Sequence, residues 1–248
     1  MNLALLLAAV FGTSVLSGVL GMAGGLLLMG IFTALLPVAA AMVTQGTVQF
    51  IANGGRAFLH RRHIQWRIVG IYTVGSLAIT ALLAFAAYQP SKRWVFLFLG
   101  LVPLAVWTPR SWFSVDASKP AHALLCSVLV SGFNIIAGSA GPLLDVFFVR
   151  TSLTRHQIVA TKATTQSFSH LTKIAYYGAL LLGAERGEAL PPAWFFIAMI
   201  PISFAGTWAG SLVLDRLSDV HFKTLTRWFV TVIGLGYLVT AARLFLSP

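Results

Sequence analysis

Two stretches of the chain, TQGTVQFIANGGR (residues 44–56) and TKATTQSFSHLTK (residues 161–173), superpose at an offset of 117. Thr44/Thr161, Thr47/Thr164 and Gln49/Gln166 are identical, and Gln45/Lys162, Asn53/His170 and Arg56/Lys173 are polar in both copies. In each copy the large polar residues fall at i, i+4, i+8 and i+11, which is one face of a helix. The chain therefore carries an internal repeat, and each copy contributes a polar stripe.

The composition around those stripes sets their surroundings. Of 248 residues only 23 are charged, 17 Lys and Arg against 6 Asp and Glu, or 9%. A soluble globular domain carries about 25%. With 58% hydrophobic residues gathered in long runs, the chain is expected to be an integral membrane protein built of helices. Ten-residue alternating segments, the signature of a membrane barrel, are absent from the sequence. The net charge of +11 would suggest nucleic acid in a soluble protein, but here the basic residues sit in the gaps between apolar runs, so no nucleic-acid partner is expected. Cys126 is the single cysteine and lies in an apolar run, which leaves no disulfide framework, no thiolate metal cluster and no expected cofactor. The first segment lacks a basic flank before its apolar stretch, and it is expected to be retained rather than cleaved.

Apolar runs between breakers divide the chain into three parts. Residues 1–110 form a first transmembrane repeat, 111–120 a cytoplasmic connector, and 121–248 a second repeat. The first run, from about Leu3 to Leu20, breaks at Gly21, Gly24 and Gly25 and resumes to Leu36. The run 121–137 breaks at GSAG (138–141), with Gly138 and Gly141 at its ends, and a short piece follows to Arg150. Leu26 to Leu36 makes roughly 16 Å of helix against a hydrocarbon core of about 30 Å. Each broken pair is thus expected to be a re-entrant hairpin or discontinuous helix meeting near mid-membrane, followed by three transmembrane helices. Interrupted backbone at that depth must face protein or a water-filled cavity.

The basic residues give an orientation. With the 56–67 loop in the cytoplasm, Arg56, Arg61, Arg62, Arg67, Arg110, Lys119, Arg150, Arg155, Arg216, Lys223 and Arg227 fall inside. Lys92, Arg93, Arg186 and Arg243 fall outside. That asymmetry follows the positive-inside rule and puts both termini outside the plasma (inner) membrane of a prokaryote. An odd number of spans per half makes the two repeats inverted relative to each other.

Inverted repeats with broken helices and a midplane polar site are the architecture of secondary transporters. The expected substrate-binding residues are Gln45, Gln49, Asn53, Asn134, Ser139, Lys162, Gln166, His170 and Lys173, with Asp145 as an ion-pair partner of Lys162 or a proton carrier. Buried positive charge and opened helix ends favour a small anion. A competing reading makes the stripe hydroxyls and amides helix-packing glue and lets Arg56 and Lys173 snorkel to the interfaces. Gly206 and Gly210 read as a small-residue packing face, and six tryptophans, among them Trp66 and Trp112, read as an interfacial belt.

SGVLGMAGGLLLMG (17–30), SGFNIIAGSAGPLL (131–144), RHQIVATKATTQ (155–166) and SFAGTWAGSLVLDRLS (203–218), with the basic HRRHIQWR (60–67), occur in order through both halves. In that order they resemble the sulfite exporter TauE/SafE family, permeases for sulfur-containing organic anions. The first glycine segment has no proline before Pro37, and the second is GSAG rather than a glycine triplet. The resemblance implies export or uptake of sulfite, sulfonates, sulfoacetate or related anions, coupled to the proton gradient or to membrane potential. A passive anion channel would present the same sequence. An intramembrane serine hydrolase would need Ser139 and His170 as a dyad, whereas HExxH, P-loop and paired-carboxylate motifs are absent from the sequence.

Overall fold

A computed structural model describes residues 2–20, 23–108, 114–183, 190–214 and 219–247. Gly21, Arg110, Trp112, Arg186 and Arg216 lie outside the described residues. Among the described residues the α-helices are, in order, α1 (Leu3–Leu20), α2 (Ala23–Leu35), α3 (Val38–Leu59), α4 (Trp66–Phe85), α5 (Lys92–Trp107), α6 (Pro120–Ala137), α7 (Gly141–Phe148), α8 (Arg155–Gly183), α9 (Ala193–Leu214) and α10 (Asp219–Leu246). A 3₁₀ turn, Arg61–His63, links α3 to α4. No strand occurs among the described residues.

Five helices are long and apolar enough to cross a membrane: Leu3–Leu20, Trp66–Phe85, Pro120–Ala137, Ala193–Val213 and Thr224–Leu246. Their outward faces carry bare apolar and aromatic side chains such as Phe85, Ile197, Trp208 and Val232, as lipid-facing helices should. The chain is an integral membrane protein. α3 and α8 fall outside the apolar set because they carry the polar stripes. Inside these two helices Thr44, Thr47 and Thr164 turn their hydroxyls back to the carbonyls of Ala40, Val43 and Ala160, which satisfies them locally. For Thr47 and Thr164, identical in the two copies, that is a structural role.

The second glycine break is a turn. α6 ends on Gly138, whose φ of +83° is left-handed, and its N–H caps the Asn134 carbonyl. A Cβ on Gly138 would also sit 2.3 Å from Met29 Sδ, so the turn is pressed against α2 of the other half. The chain re-enters helix at Gly141 with Pro142 in its first turn. At the first break the helix has already resumed at Ala23, so Gly24 and Gly25 stand inside α2 rather than in the interruption. Their reason is close approach: a Cβ at Gly24 would meet Thr13 O at 2.0 Å, and one at Gly25 would meet Gln49 Nε2 at 2.5 Å.

Four helix pairings hold the two halves together: α1 on α9, α6 on α4, α3 on α8 and α5 on α10. α1 and α9 run parallel, with Phe11 beside Gly206 and Val15 beside Gly210. α4 and α6 also run parallel, with Gly75 beside Ser127 and Gly132 beside Ile79. α5 and α10 are antiparallel: Trp107 packs edge-on against Trp228 at one end, and Trp94 against Phe245 at the other. α3 and α8 are antiparallel too, since Gly46 abuts Ile174 whereas Gly54 neighbours Ser167. In α1·α9 the backbones nearly touch, as a Cβ on Gly18 would lie 2.4 Å from Thr207 O and one on Gly210 2.2 Å from Val15 O. Lipid supplies no hydrophobic drive for helix association, so small residues that admit such approach do that work.

Candidate functional site

The antiparallel α3 and α8 present their stripes to a common cavity of about 460 Å³. α3 contributes Gln45, Gln49, Asn53 and Arg56, and α8 contributes Lys162, Gln166 and His170. The α6–α7 segment adds Asn134, Ser139, Gly141 and Asp145, and the start of α2 adds Gly25. Every expected substrate-binding residue but one therefore borders a single space, and 117 residues of separation in sequence collapse to neighbouring helices of one cavity.

The exception is Lys173. Its side chain is wholly buried and does not line the cavity. Nζ donates to Gln45 Oε1 at 2.5 Å and to the Gly138 carbonyl at 2.8 Å. It neither snorkels to an interface nor offers itself to a ligand; it ties α8 to α3 and to the turn that ends α6. The stripe rule could not separate position 173 from 162, because both share the helix face. What differs is the neighbour: near Lys173 the helices close, with Gly46 letting α8 approach so that a Cβ there would lie 2.9 Å from Ile174 Cγ1 and 3.2 Å from Lys173 Cε.

Charge in the cavity is concentrated on one side. Lys162 Nζ forms an ion pair with Asp145 Oδ1, and both side chains keep some exposure, 21% and 35%. Arg56 brings a second cation, and its guanidinium reaches Asn53 Oδ1 at 3.3 Å. Gln45 Nε2 donates to the Gly25 carbonyl at 3.4 Å. The buried Asn134 donates to Ser169 O at 3.2 Å, which fixes its amide orientation and leaves its Oδ1 without a partner among the described residues. His170 Nδ1 is also without a hydrogen-bond partner among them.

Several lining residues were not anticipated from sequence. Thr13, Ser14 and Ser17 of α1 and Ser203 and Thr207 of α9 form a hydroxyl wall, joined where Ser14 Oγ meets Ser203 Oγ at 3.2 Å. Behind the opposite wall Tyr72 Oη, Ser131 Oγ and Ser169 Oγ make a buried cluster linking α4, α6 and α8. The available signal was the repeat itself, since Ser14 and Ser17 align with Ser131 and Asn134 at the same offset of 117.

With the fold and cavity in place, comparison with known proteins adds the class. A model described as sulfite exporter TauE/SafE matches residues 5–237. The chain belongs to the sulfite exporter TauE/SafE family. No curated protein and no solved structure matches it. TauE/SafE proteins are membrane transporters rather than enzymes, so the Ser139/His170 hydrolase falls away. The resemblance carried by the ordered glycine segments is thereby confirmed over nearly the whole chain.

Proposed function

We propose that this TauE/SafE protein is a secondary transporter of small sulfur-containing anions, sulfite or organosulfonates, working by alternating access around the α3/α8 cavity. The observation that carries the reading is the single cavity lined by both polar stripes and by the cations Arg56 and Lys162. Its volume lies within the range of about 300–1,000 Å³ usual for small-molecule sites, and amide and hydroxyl donors surround the charge. The paired cations, free amide donors and hydroxyls suit an oxyanion better than an apolar or cationic solute.

Inverted repeats support the alternating-access element of this reading. Exchange the two halves in the helix pairings and the list returns to itself: α1 on α9 becomes α6 on α4, while α3 on α8 and α5 on α10 are unchanged. The parallel and antiparallel senses survive the exchange as well. A re-entrant second hairpin is favoured by the Ala117 N–H donating to Phe147 O at 2.9 Å, which brings the start of α6 beside the end of α7. With the basic 61–63 turn in the cytoplasm, that hairpin opens to the cytoplasm and both termini lie outside, in a prokaryotic inner membrane. The two repeats, 1–110 and 121–248, would then rock about the shared site.

The test is uptake of sulfite and of ethanesulfonate into proteoliposomes. Saturable uptake by wild type and its loss in Lys162→Ala and Gln166→Ala, with both variants folded in detergent, is the expected result. Wild-type rates in both variants would overturn the site, and non-saturating flux would favour a passive channel.

A further inference from the structure

Among the residues lining the cavity Asp145 is the one acid, and it is spent on Lys162. An anion site that holds its own carboxylate against its best cation is occupied before any substrate arrives. The pair also has no counterpart in the other half: at the offset of 117, Lys162 aligns with Gln45 and Asp145 with Leu28, and both of those residues border the same cavity. The pair is thus a place where the two halves contribute different charge to the same cavity.

We propose that Asp145 is an internal competitor for the substrate's place on Lys162, and that the anion enters by displacing it, the released carboxylate taking up one proton from the bulk solution through the cavity. This rests on the transporter reading above and adds its coupling. The charge count explains why a proton should follow. In the paired state Arg56, Lys162 and Asp145 sum to one positive charge. With Lys162 taken by a bound monovalent anion, an ionised Asp145 would have lost the cation it was paired to and would lie beside a second negative charge, and both changes favour its neutral form. Protonation of the displaced carboxylate restores the original sum, so each monovalent anion carries about one proton with it.

Among the described residues no other acid borders the cavity. Asp145 meets Lys162 of α8, and the other titratable side chains that border the same cavity are His170 of α8 and Arg56 of α3. α6 brings only Val130 and Asn134 to the cavity. α5, which also packs on α7, directs Lys92 to the Ala34 carbonyl and Arg93 to the Phe245 ring. Lys173 is committed to Gln45 and Gly138. His170 could also accept a proton, and the variants separate the two.

The experiment uses the full chain in detergent, titrated with ethanesulfonate in weakly buffered solution containing a pH indicator. Ethanesulfonate stays ionised throughout the accessible pH range, so any proton taken up is taken up by the protein. Wild type should take up about one proton per anion bound, with affinity that rises as pH falls. Asp145→Asn should bind about tenfold more tightly, take up no proton and lose the pH dependence. Asp145→Glu should keep the proton uptake, and His170→Gln, at whatever affinity it binds, should still take up about one proton per anion bound. Proton uptake persisting in Asp145→Asn, weaker binding by that variant, or loss of uptake in His170→Gln would each overturn the proposal. If Asp145→Asn does not fold, binding by wild type without proton uptake refutes it alone. Failure of wild type to bind either ethanesulfonate or sulfite would instead bring down the transporter reading, and this proposal with it.

Discussion

Replacing Gly210 by alanine tests the helix contact on which the cavity wall depends. The new Cβ would lie 2.2 Å from Val15 O and 2.8 Å from Gly18 Cα, all of it backbone that no rotamer change can move aside. Restoring ordinary van der Waals separation requires α1 and α9 to part by roughly 1 Å, and a gap of that size forfeits a quarter to a half of each dispersion contact it opens. Overpacking of this kind costs about 1–3 kcal/mol. Gly12, on the same helix α1, has nothing within 4 Å of its would-be Cβ. Gly12→Ala should therefore stabilise by about 0.5–1 kcal/mol, the ordinary helix preference for alanine. Each variant adds one methyl group, and the two should shift stability in opposite directions, by about 1.5–4 kcal/mol between them. Thermal or denaturant unfolding of purified protein in one detergent reads the difference. Gly210→Ala as stable as wild type, or Gly12→Ala equally damaged, would refute the claim that backbone contact governs this pair.

Other consequences can be checked alongside. Gln49→Leu and Gln166→Leu, which border the cavity from neighbouring helices, should each weaken anion binding by about tenfold while leaving the melting temperature near wild type; a stability loss without a binding loss would mean that they are packing residues. Lys173→Ala should do the reverse in part, lowering stability by about 2–4 kcal/mol because two buried acceptors lose their donor, and a variant as stable as wild type would contradict the tie described for it. For the orientation, Arg62→Cys should react with an impermeant thiol reagent only from the cytoplasmic side and Ser91→Cys only from the outside, the native Cys126 being buried; labelling of both from one side would refute the topology.

How much of this was legible beforehand differs by level. Helix positions were readable because apolar runs and glycines punctuate the chain every twenty residues or so, and α3 and α8 coincide with the repeat found first. Gln49 and Gln166 were readable as a pair because a helix face repeats with a fixed spacing, and the spacing survives folding. Lys173 was not, since the same arithmetic that put it on the stripe says nothing about where two antiparallel helices close against each other. Gly24 and Gly25 went astray for a related reason: glycine marks both a chain reversal and a tight helix contact, and only the position of Thr13 and Gln49 in space distinguishes them. The α1/α9 hydroxyls escaped because a serine or threonine in an apolar run gives no signal of its own.

The cavity is a partial palindrome, Gln49 of one half answering Gln166 of the other, and it departs from symmetry at several places, the ion-paired lysine and aspartate in place of glutamine and leucine among them. On the proposed inverted repeat, a perfect palindrome would look the same from either side of the membrane, and the empty protein would have no reason to prefer one opening. The charged departure supplies that reason. Because an ion pair joins α7 to α8, whereas their counterparts α2 and α3 are joined by the neutral hydrogen bond from Gln45 to the Gly25 carbonyl, the two openings differ in energy, and the resting protein has a preferred side. A difference of about 1.4 kcal/mol would leave ten molecules facing one way for each facing the other.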